Sequence, residues 1–178
     1  FAFTETEDQA RAFYDTLNDL AGSRSMDRLI CGDVGFGKTE VALRAAFATV
    51  MAGRQVLVVV PTTLLCRQHY LNFQKRFEGY PVRVEQISRL VTAKRVREIK
   101  EGLANGSIDI VIGTHALLAK DINPRDLGLL VIDEEQHFGV AHKERLKNLK
   151  SDVHVLTLTA TPIPRTLQLA MSGIRQLS

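Results

Sequence analysis

The sequence predicts an α/β domain in which helices cover both faces of a mainly parallel sheet. Six segments with strand character alternate with segments of helical periodicity. Residues 55–60 form an apolar run, which is typical of a parallel strand that is buried on both faces. A glycine-rich loop joins the first predicted strand to the helix that follows it. Strands separated by helices imply right-handed crossovers and a doubly wound sheet.

The predicted elements follow in chain order. A capping box of Thr4 and Glu7 begins a helix over residues 5–21, with Phe13 and Leu17 on its apolar face. The predicted strands are residues 26–31, 55–60, 82–87, 108–112, 129–133 and 153–159. The predicted later helices are residues 40–52, 64–77 and 92–104. For the last of these we expect Ala93, Val96, Ile99 and Leu103 to face inward. The whole chain, residues 1–178, is expected to form one domain.

The glycine-rich loop fits the phosphate-binding pattern G-x-x-x-x-G-K-[ST]. Its residues are Gly32, Asp33, Val34, Gly35, Phe36, Gly37, Lys38 and Thr39. The glycines allow successive N–H groups to turn towards a polyphosphate, and the start of the helix adds further N–H groups. The alternative is a glycine-rich turn before an ordinary helix, which the register of strand, loop and helix disfavours. The pattern therefore predicts a nucleoside triphosphate site, with Lys38 on the phosphates and the Thr39 hydroxyl on Mg²⁺.

A second signal is the acidic box that follows the apolar residues 129–132. Its members are Asp133, Glu134, Glu135 and Gln136. Asp133 is predicted to emerge at the carboxyl end of its strand, where open parallel sheets bind ligands, and to hold Mg²⁺ through water. Glu134 is the candidate general base for an attacking water. The alternative is a set of acids favoured by the dipole of a helix start, which the phosphate loop upstream makes less attractive.

Three further strand ends carry hydroxyl groups and helix starts that suit the phosphate oxygens of a nucleic-acid backbone. Their residues are Thr62, Thr63, Gly113, Thr114, His115, Thr159, Ala160 and Thr161. Simple helix capping is the preferred explanation of any one of these sites, but their occurrence at three equivalent strand ends leaves the two interpretations evenly balanced. Gln9 could read the edge of a base while an aromatic residue such as Phe3 packs on its face, although the spacing alone favours an exposed glutamine.

Composition excludes several classes of protein. Hydrophobic residues make up 45% of the 178 residues and charged residues 24%, which argues against disordered and fibrous chains. The net charge of +3 permits a polyanionic partner without requiring one. No apolar run is long enough to span a bilayer, so no membrane association is expected. The histidines lack metal-ligand spacing, and His69, His142 and His154 are expected at the surface or in packing roles. Because Phe1 is not a methionine, we expect a longer parent protein.

The motifs together resemble the first RecA-like motor domain of superfamily 2 helicases and translocases. They occur in that family's order at residues 32–39, 60–65, 112–118, 133–136 and 159–161. The resemblance assigns Gln9 to adenine, with residues 5–21 as an extension on the adenine side. It also assigns residues 159–161 to coupling between nucleotide and DNA.

Longer stretches narrow the resemblance to the RecG-like branch and, within it, to the bacterial transcription-repair coupling factors. They include GDVGFGKTEVA at residues 32–42, VPTTLL at residues 60–65 and TLTATPIPRTL at residues 157–167. Phe36 stands where RecG typically has serine. His137 departs from the family, in which arginine is expected before the sequence FGV, so a contact made there by a permanent cation is in doubt.

The resemblance implies ATP-driven, Mg²⁺-dependent translocation on double-stranded DNA in the bacterial cytoplasm. The parent protein would displace stalled RNA polymerase and recruit excision repair through modules outside this chain. A second RecA-like lobe would close over the nucleotide and supply arginine fingers. We therefore expect the isolated chain to bind ATP weakly and to be nearly inactive.

Three alternatives remain. A RecG-type branch-migration helicase shares the motor but remodels forks, and flanking domains would distinguish it. A nucleotide-gated protein-interaction module would switch a protein partner without DNA. A polypeptide-translocating ATPase is the least favoured, because residues 157–167 match DNA translocases so closely.

Overall fold

The computed structural model describes residues 27–31, 36–133, 153–159 and 176–177. The strands are β1 (Asp27–Cys31), β2 (Gln55–Val59), β3 (Val84–Ile87), β4 (Ile110–Gly113), β5 (Leu127–Asp133), β6 (His154–Thr159) and β7 (Gln176–Leu177). The helices are α1 (Phe36–Met51), α2 (Thr63–Arg76) and α3 (Ala93–Asn105), with a 3-10 turn at His115–Leu118. The helix expected at residues 5–21 lies outside the described residues.

The strands form one sheet in the order β3-β4-β2-β5-β6-β1-β7, and every pair of neighbours is parallel. The carboxyl ends of the strands therefore meet at a single edge. Along that edge, Val59 pairs with Gly113 on one side and with Ile132 on the other. Asp133 pairs with Leu158, and Thr159 pairs with Cys31. The strand that leads to the phosphate loop is thus separated from the strand that carries Asp133 by β6 alone.

The core lies on both faces of the sheet, because successive strand residues point to opposite sides. Val56, Val58, Leu129 and Val131 pack with residues of α1 and α2 on one face. Leu57, Val59, Leu130 and Ile132 pack with residues of α3 and the 3-10 turn on the other. Two helical layers enclose the sheet, so the predicted parallel α/β architecture is confirmed.

Local sequence signals explain how the helices begin and end. The hydroxyls of Thr62 and Thr92 accept hydrogen bonds from the N–H groups of Leu65 and Arg95 at the starts of α2 and α3. Gly106 ends α3 with φ at 84°, a conformation that favours glycine. The described helices include none that is both long and apolar enough to cross a membrane.

Two expectations about the elements need correction, and one strand was not expected. Helix α1 begins at Phe36 rather than residue 40, so the second half of the phosphate loop is already helical. Ala93 is exposed because it is the first residue of α3, where the helix has not yet turned onto the sheet, whereas Ile99 and Leu103 are buried as predicted. The two-residue strand β7 beyond β1 is too short to leave a sequence pattern.

Candidate nucleotide site

The first turn of α1 carries the described part of the phosphate loop. Gly37, Lys38 and Thr39 lie in this turn. The first four N–H groups of a helix have no acceptor within it and carry partial positive charge, which makes this end of α1 suited to an anion. Lys38 and Thr39 are half-buried as whole residues, and the side chain of Lys38 is only 9% exposed.

Strand β5 brings Asp133 to the same place. Asp133 is the last residue of the strand and is 2% exposed. Its Oδ1 accepts a hydrogen bond of 3.4 Å from Nζ of Lys38, a residue 95 positions away in the sequence. The structure therefore brings together the loop lysine and the strand-end acid, the two residues on which the nucleotide prediction most depends.

The second oxygen of Asp133 has a different partner. Nε2 of His69, on α2, lies 2.8 Å from Oδ2, and both side chains are buried. Burial alone would raise the pKa of Asp133, but the hydrogen bond from His69 and the ammonium of Lys38 together lower it below its usual value. The carboxylate consequently stays ionised at neutral pH, as a ligand for a divalent cation must be.

The residues present fit a magnesium ion that is shared with phosphate. Mg²⁺ prefers oxygen ligands and commonly uses one or two carboxylates together with water and phosphate oxygens. Thr39 offers a hydroxyl and Asp133 an ionised carboxylate. The described residues contain no group of three or more His, Cys, Asp or Glu side chains able to hold a metal by themselves. One hydroxyl and one carboxylate are protein ligands that suit an Mg²⁺ ion bound together with water and phosphate oxygens.

A buried ionic network adjoins the loop through Glu40, the residue after Thr39. Glu40 is 2% exposed, and its carboxylate accepts two hydrogen bonds from Arg76, of 2.6 and 2.8 Å, at the end of α2. Arg44 donates a third, of 2.9 Å. Burial alone would raise the pKa of Glu40, but the guanidinium groups of Arg76 and Arg44 lower it overall. The network ties the start of α1 to the far end of α2.

We expect the substitution Glu40→Gln to lower the free energy of unfolding at neutral pH by about 2 kcal/mol, because charge-assisted hydrogen bonds are lost. The folded carboxylate has a lowered pKa, so the stability that it contributes is complete above the ordinary value of 4.5. That contribution disappears as the pH falls through the lowered pKa. Urea unfolding measured from neutral to acid pH should therefore show the free energies of unfolding of the wild type and of Glu40→Gln becoming equal as the pH falls.

The matched control is Glu98→Gln, which removes a carboxylate from the exposed pair with Arg95. Exposed ion pairs contribute roughly 0–1 kcal/mol, so this variant should unfold almost as the wild type does. Equal losses in the two variants would contradict the assignment of a buried, stabilising network to Glu40.

The residues predicted to contact a nucleic-acid backbone differ in exposure. Thr62 and His115 are exposed and Thr63 is half-buried, whereas Gly113 and Thr114 are buried. A Cβ on Gly113 would approach Cγ of Leu117 to 2.4 Å, so close packing explains this glycine.

The alternative of simple capping holds for one of these residues. The hydroxyl of Thr62 caps α2, whereas that of Thr114 makes no capping hydrogen bond at the 3-10 turn. Thr159 is the buried last residue of β6, between the strands that lead to the phosphate loop and to Asp133.

Several predicted site residues lie outside the described residues. They are Phe3, Gln9, Gly32, Asp33, Val34, Gly35, Glu134, Glu135, Gln136, Ala160 and Thr161. The backbone of Phe36 is described as the start of α1, but its side chain is not.

Sequence reasoning missed His69, which was expected at the surface or in a packing role. The histidine is buried and contacts the carboxylate of Asp133. A usable signal was present, because Cys66, His69 and Phe73 follow at helical spacing and form the buried face of α2. The partner of a histidine on that face depends on the neighbouring strand and has no local signature.

Comparison with known proteins gives consistent results. Residues 6–170 match the DEAD/DEAH box helicase family. The transcription-repair-coupling factors of Staphylococcus epidermidis and Bacillus subtilis are 57% and 56% identical to the chain over all 178 residues. The chain spans 15% of the length of each of these relatives.

Solved structures agree on the fold. A RecG structure bound to a three-way DNA junction is 39% identical with a TM-score of 0.85, over 99% of this chain and 24% of that one. The Sulfolobus solfataricus SWI2/SNF2 ATPase core in complex with double-stranded DNA is 20% identical with a TM-score of 0.67, over 93% of this chain and 34% of that one. The second likeness concerns the fold alone. The architecture is the RecA-like one of helicase cores, as the resemblance implied.

Proposed function

Because the chain belongs to the DEAD/DEAH box helicase family, we propose that it is the ATP-binding lobe of a motor that moves along double-stranded DNA. In the parent protein, the motor displaces stalled RNA polymerase and couples transcription to nucleotide excision repair. The observation that carries the proposal is the contact of 3.4 Å between Lys38 and Asp133, which joins the two halves of a nucleotide site. Relatives named transcription-repair-coupling factor, at 56–57% identity, support the finer assignment.

Each predicted site residue of the chain has a separate role at the nucleotide. Lys38 binds the β- and γ-phosphates. Thr39 and Asp133 would hold Mg²⁺, and Asp133 would do so through water. When bound, Mg²⁺ would neutralise negative charge that develops on the phosphates during phosphoryl transfer. Glu134 accepts a proton from the attacking water and orients it. Gln9 and Phe3 contact the adenine.

The proposed DNA partner binds at the same edge of the sheet as the nucleotide. Double-stranded DNA runs over the ends of β2 and β4, where the accessible Thr62, Thr63 and His115 contact its backbone. Gly113 and Thr114, predicted as further contacts, are buried and support this surface from below. Residues 159–161 couple the two ligands, which the place of Thr159 between β1 and β5 supports.

The chain forms a single RecA-like domain, and a second RecA-like lobe of the parent protein completes the site with arginine fingers. RNA polymerase and the repair protein bind to modules outside this chain. The proposed site of action is the bacterial cytoplasm, where a motor of this kind would meet DNA and RNA polymerase.

A second candidate function is that of a RecG-type branch-migration helicase. The RecG structure, at 39% identity and a TM-score of 0.85, favours it. Both candidates use the same nucleotide chemistry and differ in the DNA substrate and in the protein that is displaced.

The test uses the full-length protein. We expect its ATP hydrolysis to be stimulated by linear double-stranded DNA, and we expect it to release stalled RNA polymerase from a template in the presence of ATP. Regression of model forks without release of polymerase would favour the RecG-type function instead. Two results together would contradict both motor functions and favour a nucleotide-gated interaction module. They are a rate of ATP hydrolysis that does not change when DNA is added, and a DNA affinity that does not change when ATP analogues are added.

The isolated 178-residue chain serves as a comparison in the same assays. It should bind ATP weakly and hydrolyse it very slowly, because the arginine fingers belong to the other lobe. Robust DNA-stimulated turnover by the isolated chain would contradict the two-lobe arrangement.

A further inference from the structure

Helix α2 carries a histidine into the core beside the nucleotide site. Cys66, His69 and Phe73 are its buried residues, and they face the sheet. The ring of Phe73 meets the imidazole of His69 edge-on, with ring centroids 6.4 Å apart and an angle of 77° between the planes. This packing restricts the orientations available to the imidazole.

The two oxygens of Asp133 have separate partners. Nε2 of His69 lies 2.8 Å from Oδ2, and Nζ of Lys38 lies 3.4 Å from Oδ1. An ionised carboxylate only accepts hydrogen bonds, so Nε2 must carry the proton in this contact. The imidazole thus fixes one oxygen of the carboxylate and leaves the other facing the lysine.

The other ring nitrogen argues against packing as the reason for a histidine at this position. Nδ1 of His69 is buried and has no hydrogen-bond partner in the part of the chain that the structure describes. Leaving a buried polar atom unpaired is destabilising, and an apolar side chain of similar size would avoid that cost. The contact with Asp133 is what a histidine offers at this position and an apolar residue does not.

We propose that His69 is a positioning residue that holds Asp133 in the orientation required for binding the magnesium ion of the nucleotide. Hydrogen bonds from outside the coordination sphere orient metal-binding carboxylates, and their loss typically lowers metal affinity or activity about 10–100-fold. The inference rests on the proposed function, because it concerns the metal at the ATP site. It adds to that function a residue of α2, a helix outside the phosphate loop and the acidic box.

Two amide substitutions distinguish the effect of the hydrogen bond to Asp133 from the effect of having any polar side chain at position 69. In His69→Gln, the amide nitrogen can occupy the position of Nε2 and still donate to Oδ2 of Asp133. In His69→Asn, the side chain is one methylene shorter, so its amide reaches only the position of Nδ1. The variant His69→Met fills the site with an apolar side chain and provides a second case without a donor.

The measurement compares binding of a non-hydrolysable ATP analogue to the full-length protein in Mg²⁺ and in EDTA. The ratio of the two Kd values reports how strongly the metal supports nucleotide binding. Because both Kd values are measured on the same variant, a general loss of affinity cancels in the ratio. The affinity of Mn²⁺ for the protein–ADP complex, followed by electron paramagnetic resonance of free Mn²⁺, gives a second readout that does not depend on activity. Circular dichroism and urea unfolding establish which variants are folded.

In His69→Asn and His69→Met we expect the Mg²⁺-dependent gain in analogue affinity to fall about 10-fold or more, with binding in EDTA unchanged. His69→Gln should retain most of the gain. His69→Asn and His69→Gln also differ in helix propensity, because asparagine is the poorer helix former. The control Gln68→Asn makes that change in propensity at the exposed neighbouring position and should match the wild type in metal dependence.

A wild-type metal dependence in either folded variant without the donor overturns the proposal. A loss in His69→Gln as large as that in His69→Asn also overturns it, because the glutamine keeps the donor. Failure of the wild-type protein to bind the analogue at all would instead contradict the proposed function, which keeps the two failures distinguishable.

Discussion

Replacing Lys38 with alanine in the full-length protein is expected to abolish detectable ATP binding and to lower hydrolysis about 100-fold or more. The ammonium of Lys38 is largely buried and lies 3.4 Å from Oδ1 of Asp133. A charge in such a place interacts strongly with phosphate oxygens, because little water screens it. A charge-assisted hydrogen bond contributes roughly 1.5–3 kcal/mol, so losing contacts to two phosphates removes most of the binding free energy.

Analogue binding by titration calorimetry and steady-state hydrolysis measure this effect. The matched control is Lys75→Ala, which removes an exposed lysine near the end of α2 and should leave both quantities unchanged. Urea unfolding of Lys38→Ala separates a lost phosphate contact from a lost fold, since Asp133 keeps its hydrogen bond with His69. Analogue binding within a few-fold of the wild type would show that the loop lysine is not the phosphate ligand.

The sequence predicted the place of Asp133 because the rule behind the prediction is local. An apolar run over residues 129–132 identifies a buried strand, and the first charged residue after it must lie at the carboxyl end. Parallel strands bring their carboxyl ends to one edge, so the loop after β1 and the acid after β5 had to lie on the same side of the sheet. No knowledge of the strand order was needed for that inference.

The contacts of His69 and Glu40 could not be predicted in the same way. His69 and Asp133 are 64 positions apart, and Glu40 and Arg76 are 36 positions apart. Each contact depends on how far a helix is rotated and shifted against the sheet, which the packing of whole faces decides. The apolar periodicity of α2 indicates which residues face inward, but it does not indicate which strand residue each one meets.

The contacts of Asp133 bear on its role within the acidic box. Asp133 has both oxygens engaged, by Lys38 and His69, and its pKa is lowered, which suits a metal ligand rather than a group that accepts protons during turnover. We therefore expect another residue to act as the general base. The next residue, Glu134, is the candidate predicted from the sequence.

The substitution Glu134→Gln in the full-length protein is expected to preserve ATP binding and to lower the hydrolysis rate about 100- to 10,000-fold, because general-base catalysis contributes effects of that size. The amide is similar in size to the carboxylate but cannot take a proton from water. Analogue binding in Mg²⁺ should stay within a few-fold of the wild type. Single-turnover hydrolysis measures the chemical step directly and separates it from product release.

Asp133→Asn is the informative comparison, since the same chemical change one residue earlier should weaken Mg²⁺-dependent binding as well as hydrolysis. The two variants thus divide the acidic box into a metal-holding and a proton-accepting residue by different measurements. Unchanged turnover in Glu134→Gln would show that the base is a different residue. Equal losses of binding in both variants would place both carboxylates in the metal site, and water activation would then have to be assigned elsewhere.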